Sequence, residues 1–237
     1  MSSVTSGPAS LVCAETLRQN AYRGRIVMVT RDTLPPYDKP KLSKALDVDG
    51  VSILLRTRDF YQQLEVEVWT QKEVVSVDPA DKAVLLSDGS SQRYDQLLIA
   101  TGCRARPLDC PGRDLKGVEL LQRYEDAKEI HHAGLGRNAV VVGSSFIGME
   151  VASYLSDKAA SVAVVGTSGF PYQRSLGPEI GGMSMRVKRV VLKSGRVLEA
   201  DVVIAGIGVI PNSDFLAGSG LEVDLRKAVV VDKVITR

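Results

Sequence analysis

Apolar residues recur at Leu11, Ala14, Leu17 and Ala21, three to four positions apart, behind Gly7 and Pro8. That is the period of a helix with one buried face, and the unbroken run of RIVMVT (25–30) after it reads as a buried strand. LPPYDKPKLSK follows, a proline-punctuated loop expected to run extended before a short helix near Leu42. VEVWT, EVVSVD and AVLLSDG have the length and composition of short strands. The last closes on an Asp-Gly turn from which SQRYDQLLIATG returns, so the pattern predicts a meander beside a strand-helix unit. PLDCPGRDLKG (107–117) is a proline- and glycine-rich linker and a candidate domain boundary. Beyond it NAVVVG (138–143) reads as a strand covered on both faces. SSFIGMEVASYL reads as a helix with Ile147, Val151, Tyr154 and Leu155 on one face, and ASVAVVG (160–166) as the next strand. The turn-helix-strand order thus appears twice, at 7–30 and 138–166, which predicts an α/β protein containing a repeat of two Rossmann-like, dinucleotide-binding folds.

Composition narrows this picture by exclusion. A chain of 237 residues, 44% hydrophobic, buries one sizeable core or two small ones. Thirty basic and 28 acidic residues leave a formal charge of +2 with no block of one sign, which gives no footprint for nucleic acid or a membrane surface. Aromatic residues at 5% leave too few stacking platforms for a single-strand binder. The longest apolar runs are far shorter than the roughly 20 residues of a membrane span. No secretory signal pattern opens the chain. Cys13, Cys103 and Cys110 form neither a C-x-x-C nor a zinc-ligand spacing. The expectation is an intracellular protein, in cytoplasm or mitochondrion, with no metal. His131 and His132 are read as solvated, and Trp69 as packing.

The glycine turns carry the candidate chemistry. In VVVGSSFIGMEV, Gly143, Ser145 and Gly148 occupy the three positions of the phosphate-turn template, after an apolar strand and at the start of a helix. Gly143 supplies the tight turn and Gly148 lets helix and strand pack closely, while serine at 145 narrows the approach but adds a hydroxyl donor. The alternative is a glycine-rich turn with no ligand. The acid that grips the adenosine ribose belongs at the end of the next strand, where Gly166 stands, and no arginine is plainly placed for a 2′-phosphate. In TSGPAS the template falls on Thr5, Gly7 and Ser10, with no strand visible in front; the bland reading is an ordinary helix capped by Ser6.

LPPYDKPKLSKAL, YDQLLIATGCRARPL, VVVGSSFIGMEVASYL, PYQRSLGPEIG and ADVVIAGIGVIPN together resemble the apoptosis-inducing-factor-like flavoproteins. These belong with the ferredoxin-reductase-like pyridine nucleotide-disulfide oxidoreductases, and the Rieske-linked branch is the most similar. The resemblance covers nearly the whole chain in family order. It implies an FAD domain interrupted by an NAD(P)H domain, FAD and NAD(P)H as cofactors, and hydride passing from nicotinamide to flavin and on to an unidentified acceptor. By position it implies that Pro40, Leu42, Ser43 and Lys44 lie along the FAD, with Gly7, Pro8 and Ser10 at its phosphate turn. Lys44 resembles the lysine near the flavin N5, expected to be buried, and Glu150 its partner beside the nicotinamide, the two expected to pair across the domain interface; these are the candidate catalytic residues. A buried ammonium there stabilises negative charge on reduced flavin, and a carboxylate keeps the ammonium charged. Without the resemblance Lys44 reads as a solvated surface lysine. Ala100, Thr101 and Gly102 resemble the turn where the chain passes the flavin. Gly206, Gly208, Pro211 and Asn212 resemble the strand end facing the nicotinamide.

The departures from the family pattern are specific. The adenosine-ribose acid of the FAD domain falls at Arg31, leaving Asp32 as its candidate. The first strand is missing from the pattern. GPEIGGMSM joins RVKRVVLKSG directly, where the family carries on the order of 30 more residues, and VVVDKVITR stops short of the family's Gly-Asp flavin-contact segment. No Rieske ligand set is present. The expected organisation is a partial FAD-binding domain at 1–107, a linker at 108–123, a partial NAD(P)H-binding domain at 124–215, and the start of a return to the FAD domain at 216–237. The expected function is an FAD-dependent NAD(P)H oxidoreductase impaired by truncation. The rivals are a non-enzymatic nucleotide-binding or non-functional isoform, and a fragment that does not fold stably alone.

Overall fold

The structure, a computed structural model, describes residues 2–4, 7–183 and 197–233. The chain forms two compact units, Met1–Asp38 with Gly50–Arg104 and Ile210–Arg237, and Lys39–Asp49 with Ala105–Val209.

The first unit is built on a parallel sheet in the order Val66–Trp69, Ile26–Val29, Ser2–Val4, Leu97–Ile99. Ser2–Val4 holds a central place, paired with Val27–Val29 on one side and Leu97–Ile99 on the other. This corrects the expectation that the strand ahead of Gly7 is missing. Two serines in three residues give no apolar run to detect, and ladders on both sides supply what intrinsic propensity lacks. Val66–Trp69 is a second correction. It pairs in parallel with Ile26–Val29, so the antiparallel meander keeps only Val74–Asp78, Ala83–Leu86 and Ser91–Arg93. A four-residue strand such as VEVW reads alike in either sheet, and its partner is set by tertiary contact.

Ile26–Val29 is buried at all four positions because both of its faces are covered. Side chains alternate along a strand. Ile26 and Met28 therefore pack with Leu11, Ala14 and Tyr61, while Val27 and Val29 pack with Val74, Val77, Val84, Leu86 and Leu216. Trp69 joins the second cluster as packing. The helix Pro8–Gln19 starts at a Gly7 cap, with Pro8 in the first turn where a missing N–H costs least. Ser6, the expected cap, lies outside the described residues, and Ala21 falls beyond the helix, at φ 60°.

Arg18 secures the end of this helix. Its guanidinium donates to the carbonyls of Leu64 (2.7 Å), Tyr22 (2.7 Å), Gly24 (2.8 Å) and Glu65 (3.1 Å). One rigid fork thereby joins the helix end, the turn after it and the lead into Val66–Trp69.

The second unit has a fully parallel sheet in the order Ser161–Val165, Asn138–Val142, Val202–Ala205, Val118–Leu120. The strands at 138 and 161 and the helix Phe146–Leu155 lie where the pattern places them. The helix face differs from expectation. Its buried stripe runs through Gly148, Val151, Ala152 and Leu155, and Ile147 is exposed. Small residues form part of that stripe, and a search for large apolar side chains passes over them. A second helix, Tyr124–Gly134, buries Ala127 and Ile130. At its start the Asp126 carboxylate accepts the backbone N–H groups of Gln122 (2.8 Å) and Arg123 (2.7 Å). The short helix expected near Leu42 is a 3-10 turn, Lys39–Lys41, after which Leu42 is buried. The join between GPEIGGMSM and RVKRVVLKSG runs through 184–196, outside the described residues. Among the described residues no helix is long and apolar enough to cross a membrane.

Replacing Arg18 by methionine keeps the aliphatic stem but strips four carbonyls of a charged donor. The expected cost is about 2–3 kcal/mol, from the value of charged hydrogen bonds, and lysine, which lacks the planar fork, restores little of it. Denaturant midpoints of the three chains check this, and a methionine variant as stable as the parent contradicts it.

Candidate functional site

The strand Asn138–Val142 ends at Gly143, whose φ of 119° few residues with a Cβ adopt. Gly143 N–H donates to the Val165 carbonyl (2.8 Å) and Gly206 N–H to the Val142 carbonyl (2.7 Å), which gathers three strand ends at one place. No side chain fits between them. A Cβ on Gly143 would overlap the Gly206 carbonyl, and one on Gly148 would overlap the Gly143 carbonyl. One on Gly206 would sit 3.0 Å from the Gly148 nitrogen. The helix Phe146–Leu155 therefore begins with its backbone directly against the strand ends, and its first N–H groups lack intrahelical partners.

Ser145 caps this helix in extended backbone, φ −99° and ψ −168°. Gly7 caps the helix of the first unit at φ −99° and ψ −178°. The two middle positions of the template thus share one geometry, open to any residue, and serine at 145 is conformationally neutral. The turns differ around that position. A Cβ on Gly7 meets nothing within 4 Å, and Ser10, which stands where Gly148 does, is itself buried. Thr5, at the first template position, lies outside the described residues.

Glu150 lies one turn into the helix at 146–155 and takes one partner on each oxygen. Lys44 Nζ is 3.0 Å from Oε1, and the Ser43 hydroxyl donates to Oε2. The expected Lys44–Glu150 pair is present, but it does not cross a domain interface as expected: Lys39–Asp49, placed by the sequence in the partial FAD-binding domain at 1–107, belongs with Glu150 to the second unit. The expectation of a buried ammonium is corrected. The Lys44 side chain is 57% exposed against 25% for Glu150, and Lys44 also donates to the Pro40 carbonyl at 3.1 Å. A pair this exposed adds at most about 1 kcal/mol of stability; its effect is positional. Burial, and then the charge of Glu150, push the Tyr172 phenol above its ordinary range.

One helical turn beyond Glu150, Tyr154 makes a second attachment. Its hydroxyl is 2.9 Å from His131 Nδ1, and the Asp47 carboxylate lies near enough for the two groups to shift each other's titration. The Tyr154 hydroxyl is the largest influence holding Asp47 below the usual carboxylate range. Burial, followed by the Asp47 carboxylate, pushes the Tyr154 phenol well up. His131 is thus a hydrogen-bonded member of the fold, a correction to its reading as solvated. The segment Lys39–Asp49 is held to one helix at two points, Ser43/Lys44 on Glu150 and Asp47 on Tyr154.

In the first unit Asp32 is buried at the carboxyl end of Ile26–Val29. Its N–H donates to the Thr30 hydroxyl (3.1 Å), and its Oδ2 accepts from the Tyr37 hydroxyl (3.2 Å). Arg31, its neighbour, is exposed and 3.5 Å from Glu73. The turn Ala100–Gly102, with Gly102 at φ 58°, is fastened to Asn212. Thr101 Oγ1 donates to the Asn212 carbonyl (2.5 Å), Asn212 Nδ2 to the Thr101 carbonyl (3.0 Å), and Asn212 N–H to the Gly102 carbonyl (2.9 Å). Arg104 adds bonds to the Pro211 carbonyl (3.3 Å), Asn212 Oδ1 (3.2 Å) and Asp214 (2.7 Å). Gly208, at φ 111°, accepts from Arg106 N–H at 2.9 Å.

Residues missed in the sequence are Asp47, Tyr154 and His131, which no spacing connects, together with Ser144 and Arg174. Ser144 abuts Gly166, and Arg174 comes beside Thr167. The stretch PYQRSLG carried the only signal for the latter. Among the described residues no cluster of His, Cys, Asp and Glu is arranged to hold a metal ion.

A family model described as pyridine nucleotide-disulphide oxidoreductase matches residues 4–189 and 180–236, in two pieces that meet at 180–189. Apoptosis-inducing factor 3 from Homo sapiens is 40% identical over 256 residues, covering 98% of this chain and 42% of the relative. Rubredoxin-NAD(+) reductase from Pseudomonas putida is 32% identical, covering 97% of this chain and 66% of the relative. Among solved structures, the covalent putidaredoxin reductase-putidaredoxin complex aligns with a TM-score of 0.84 at 29% identity, covering 94% of this chain and 61% of the matched one. The chain spans less than half the length of the human relative and under two thirds of the solved structure. The 256 aligned positions exceed the 237 residues of the chain, so the alignment contains positions this chain lacks.

Two outcomes follow from this geometry. Gly148→Ala forces the helix off the strand ends and is expected to cost about 3 kcal/mol or more, the upper range for overpacking. Gly7→Ala, with open space around its Cβ, stays within about 0.5 kcal/mol of the parent, as surface changes do; thermal unfolding of both checks the contrast, and equal losses refute it. Asp47, depressed by Tyr154, supports the fold fully above its unfolded-state pKa, and that support is lost as pH falls through the lower folded value. In Tyr154→Phe the Asp47 carboxyl is expected to titrate closer to its ordinary range by carboxyl-detected NMR. An unchanged titration would show that the hydroxyl is not the cause.

Proposed function

The chain belongs to the pyridine nucleotide-disulphide oxidoreductase family, and from that premise we propose that it binds a nicotinamide dinucleotide in its second unit and FAD in its first, and passes reducing equivalents to a redox acceptor. The family uses FAD and NAD(P)H. The observation that carries the proposal is the glycine contact of Gly143, Gly148 and Gly206. It seats the start of a helix directly on the strand ends, so that the unpartnered first N–H groups stand at the strand-to-helix turn, where a pyrophosphate binds. The residues of the first unit also fit a dinucleotide. Gly7 and Pro8 leave the start of a helix uncrowded, and a buried carboxylate, Asp32, stands at the following strand end, where ribose hydroxyls are gripped.

When bound, the nicotinamide supplies hydride and FAD accepts it. The chain's own residues supply position. Gly143, Ser145 and Gly148 hold the pyrophosphate, and Asn212 and Arg104 keep the Ala100–Gly102 turn in place. Glu150 fixes Lys44 and Ser43 and so sets where the ammonium stands. The named relatives include a rubredoxin reductase and a putidaredoxin reductase, which favours a small redox protein as the acceptor here too. We further propose that turnover is low. What supports this is that the two ranges matched by the family model overlap at 180–189 and that the alignment to the human relative is longer than the chain; on this reading a segment near 180–189 is shortened and supports the nicotinamide less well.

The test is steady-state NAD(P)H oxidation with FAD supplied and a dye acceptor. The parent chain is compared with one in which the human relative's matching segment fills the gap. The filled chain is expected to turn over at least tenfold faster, equivalent to about 1.4 kcal/mol of barrier, and Glu150→Gln lowers its rate by a similar factor by releasing Lys44. Equal turnover in parent and filled chains removes the impairment claim. A filled chain that neither binds flavin nor oxidises NAD(P)H removes the functional reading.

A further inference from the structure

The end of the strand Ser161–Val165 is where a dinucleotide-binding fold chooses between a ribose 2′-hydroxyl and a 2′-phosphate, with an acid for the former and an arginine for the latter. Gly166 stands there, and the structure leaves an acid little room. A Cβ at Gly166 would lie 2.6 Å from Ser144 Oγ and 3.0 Å from Ser144 Cβ, so any side chain there requires Ser144 to give way. No Asp or Glu follows until Glu179.

The loop beyond Gly166 then turns back on itself. Tyr172, at φ 57°, donates its N–H to the Ser144 carbonyl (2.7 Å), and Leu176 N–H bonds the Tyr172 carbonyl (2.8 Å) as the next helix begins. That reversal carries Arg174 back to the strand end, where Nη2 is 3.5 Å from the Thr167 hydroxyl. The distance is at the outer limit of a hydrogen bond, so the guanidinium is placed without being consumed. Arg174 is exposed and, among the described residues, forms no ion pair. Among the described residues, the polar groups brought to this strand end include the Arg174 guanidinium and the hydroxyls of Ser144 and Thr167.

We propose that Arg174 is a specificity-determining residue and that the second unit selects NADPH over NADH; this rests on the nucleotide site proposed above. A guanidinium presents planar paired donors to a phosphate. The 2′-phosphate of NADPH supplies the anion, whereas the 2′-hydroxyl of NADH finds no carboxylate to bond. In this respect the chain departs from relatives whose names specify NAD(+).

The test separates this proposal from the one beneath it. Binding of 2′,5′-ADP and 5′-AMP to the whole chain is measured by calorimetry at low and high salt, followed by NADPH and NADH. The expected result is at least tenfold tighter binding of 2′,5′-ADP, a margin that shrinks as salt rises. In Arg174→Gln the ratio collapses to about one, and in Arg174→Lys it is partly kept, because the charge remains without the fork. Equal affinities in the parent chain, or tighter 5′-AMP, overturn the specificity and leave the nucleotide site standing. A ratio that survives Arg174→Gln overturns the role of Arg174. Failure of all four ligands to bind overturns this proposal together with the nucleotide site.

Discussion

Three strand ends and the start of a helix meet in backbone contact at Gly143, Gly148 and Gly206, and no side chain fits between them. The constraint is steric, and its consequences reach through the second unit. Because Gly148 lies against the Gly143 carbonyl, the helix Phe146–Leu155 rests low on the sheet. Val151, Ala152 and Leu155 are then buried on the same stripe. The same seating sets the height at which Glu150 and Tyr154 leave the helix, and so the place where Lys39–Asp49 is attached. It also puts Ser144 against Gly166, so that any side chain at the next strand end requires Ser144 to give way.

Glu150 joins this scaffold to chemistry. A carboxylate with one oxygen on Lys44 and the other on Ser43 is a small frame for an ammonium group. The exposure of Lys44 makes the pair weak as a stabilising contact, since solvent screens both charges. The attachment of Lys39–Asp49 draws instead on the buried Leu42, Ser43 and Leu46, and on the Asp47, Tyr154 and His131 group one turn away. The load is on packing and a neutral phenol, which leaves the lysine position free to be set by function.

Much of this was legible in the sequence, and the failures have identifiable causes. The strands at 138–142 and 161–165 were plain because parallel strands covered on both faces are apolar without interruption. The Lys44–Glu150 pair was read from a family resemblance; no periodicity links positions so far apart. Ser2–Val4 was invisible because its place is fixed by two neighbouring ladders, which no short polar segment announces. Ile147 was misplaced because the buried face includes Gly148 and Ala152, small residues that carry almost no hydrophobic signal of their own beside Met149, Val151 and Leu155. Lys44 was expected to be buried because its chemistry argued for a dry site, and chemistry does not determine exposure.

The two units use one turn geometry and distribute its demands in opposite ways. Gly7 and Ser145 cap their helices with the same φ, so the local backbone is common to both. Around Ser145 the fit is closed: removing the freedom of a single glycine displaces a helix. Around Gly7 there is open space, and the demand falls on the sheet. Ser2–Val4 must be held by its partners at 26–29 and 97–99, and the four-carbonyl grip of Arg18 keeps the helix registered on them. The second turn is therefore limited by room for one Cβ, whereas the first is limited by the free energy of pairing a short polar strand.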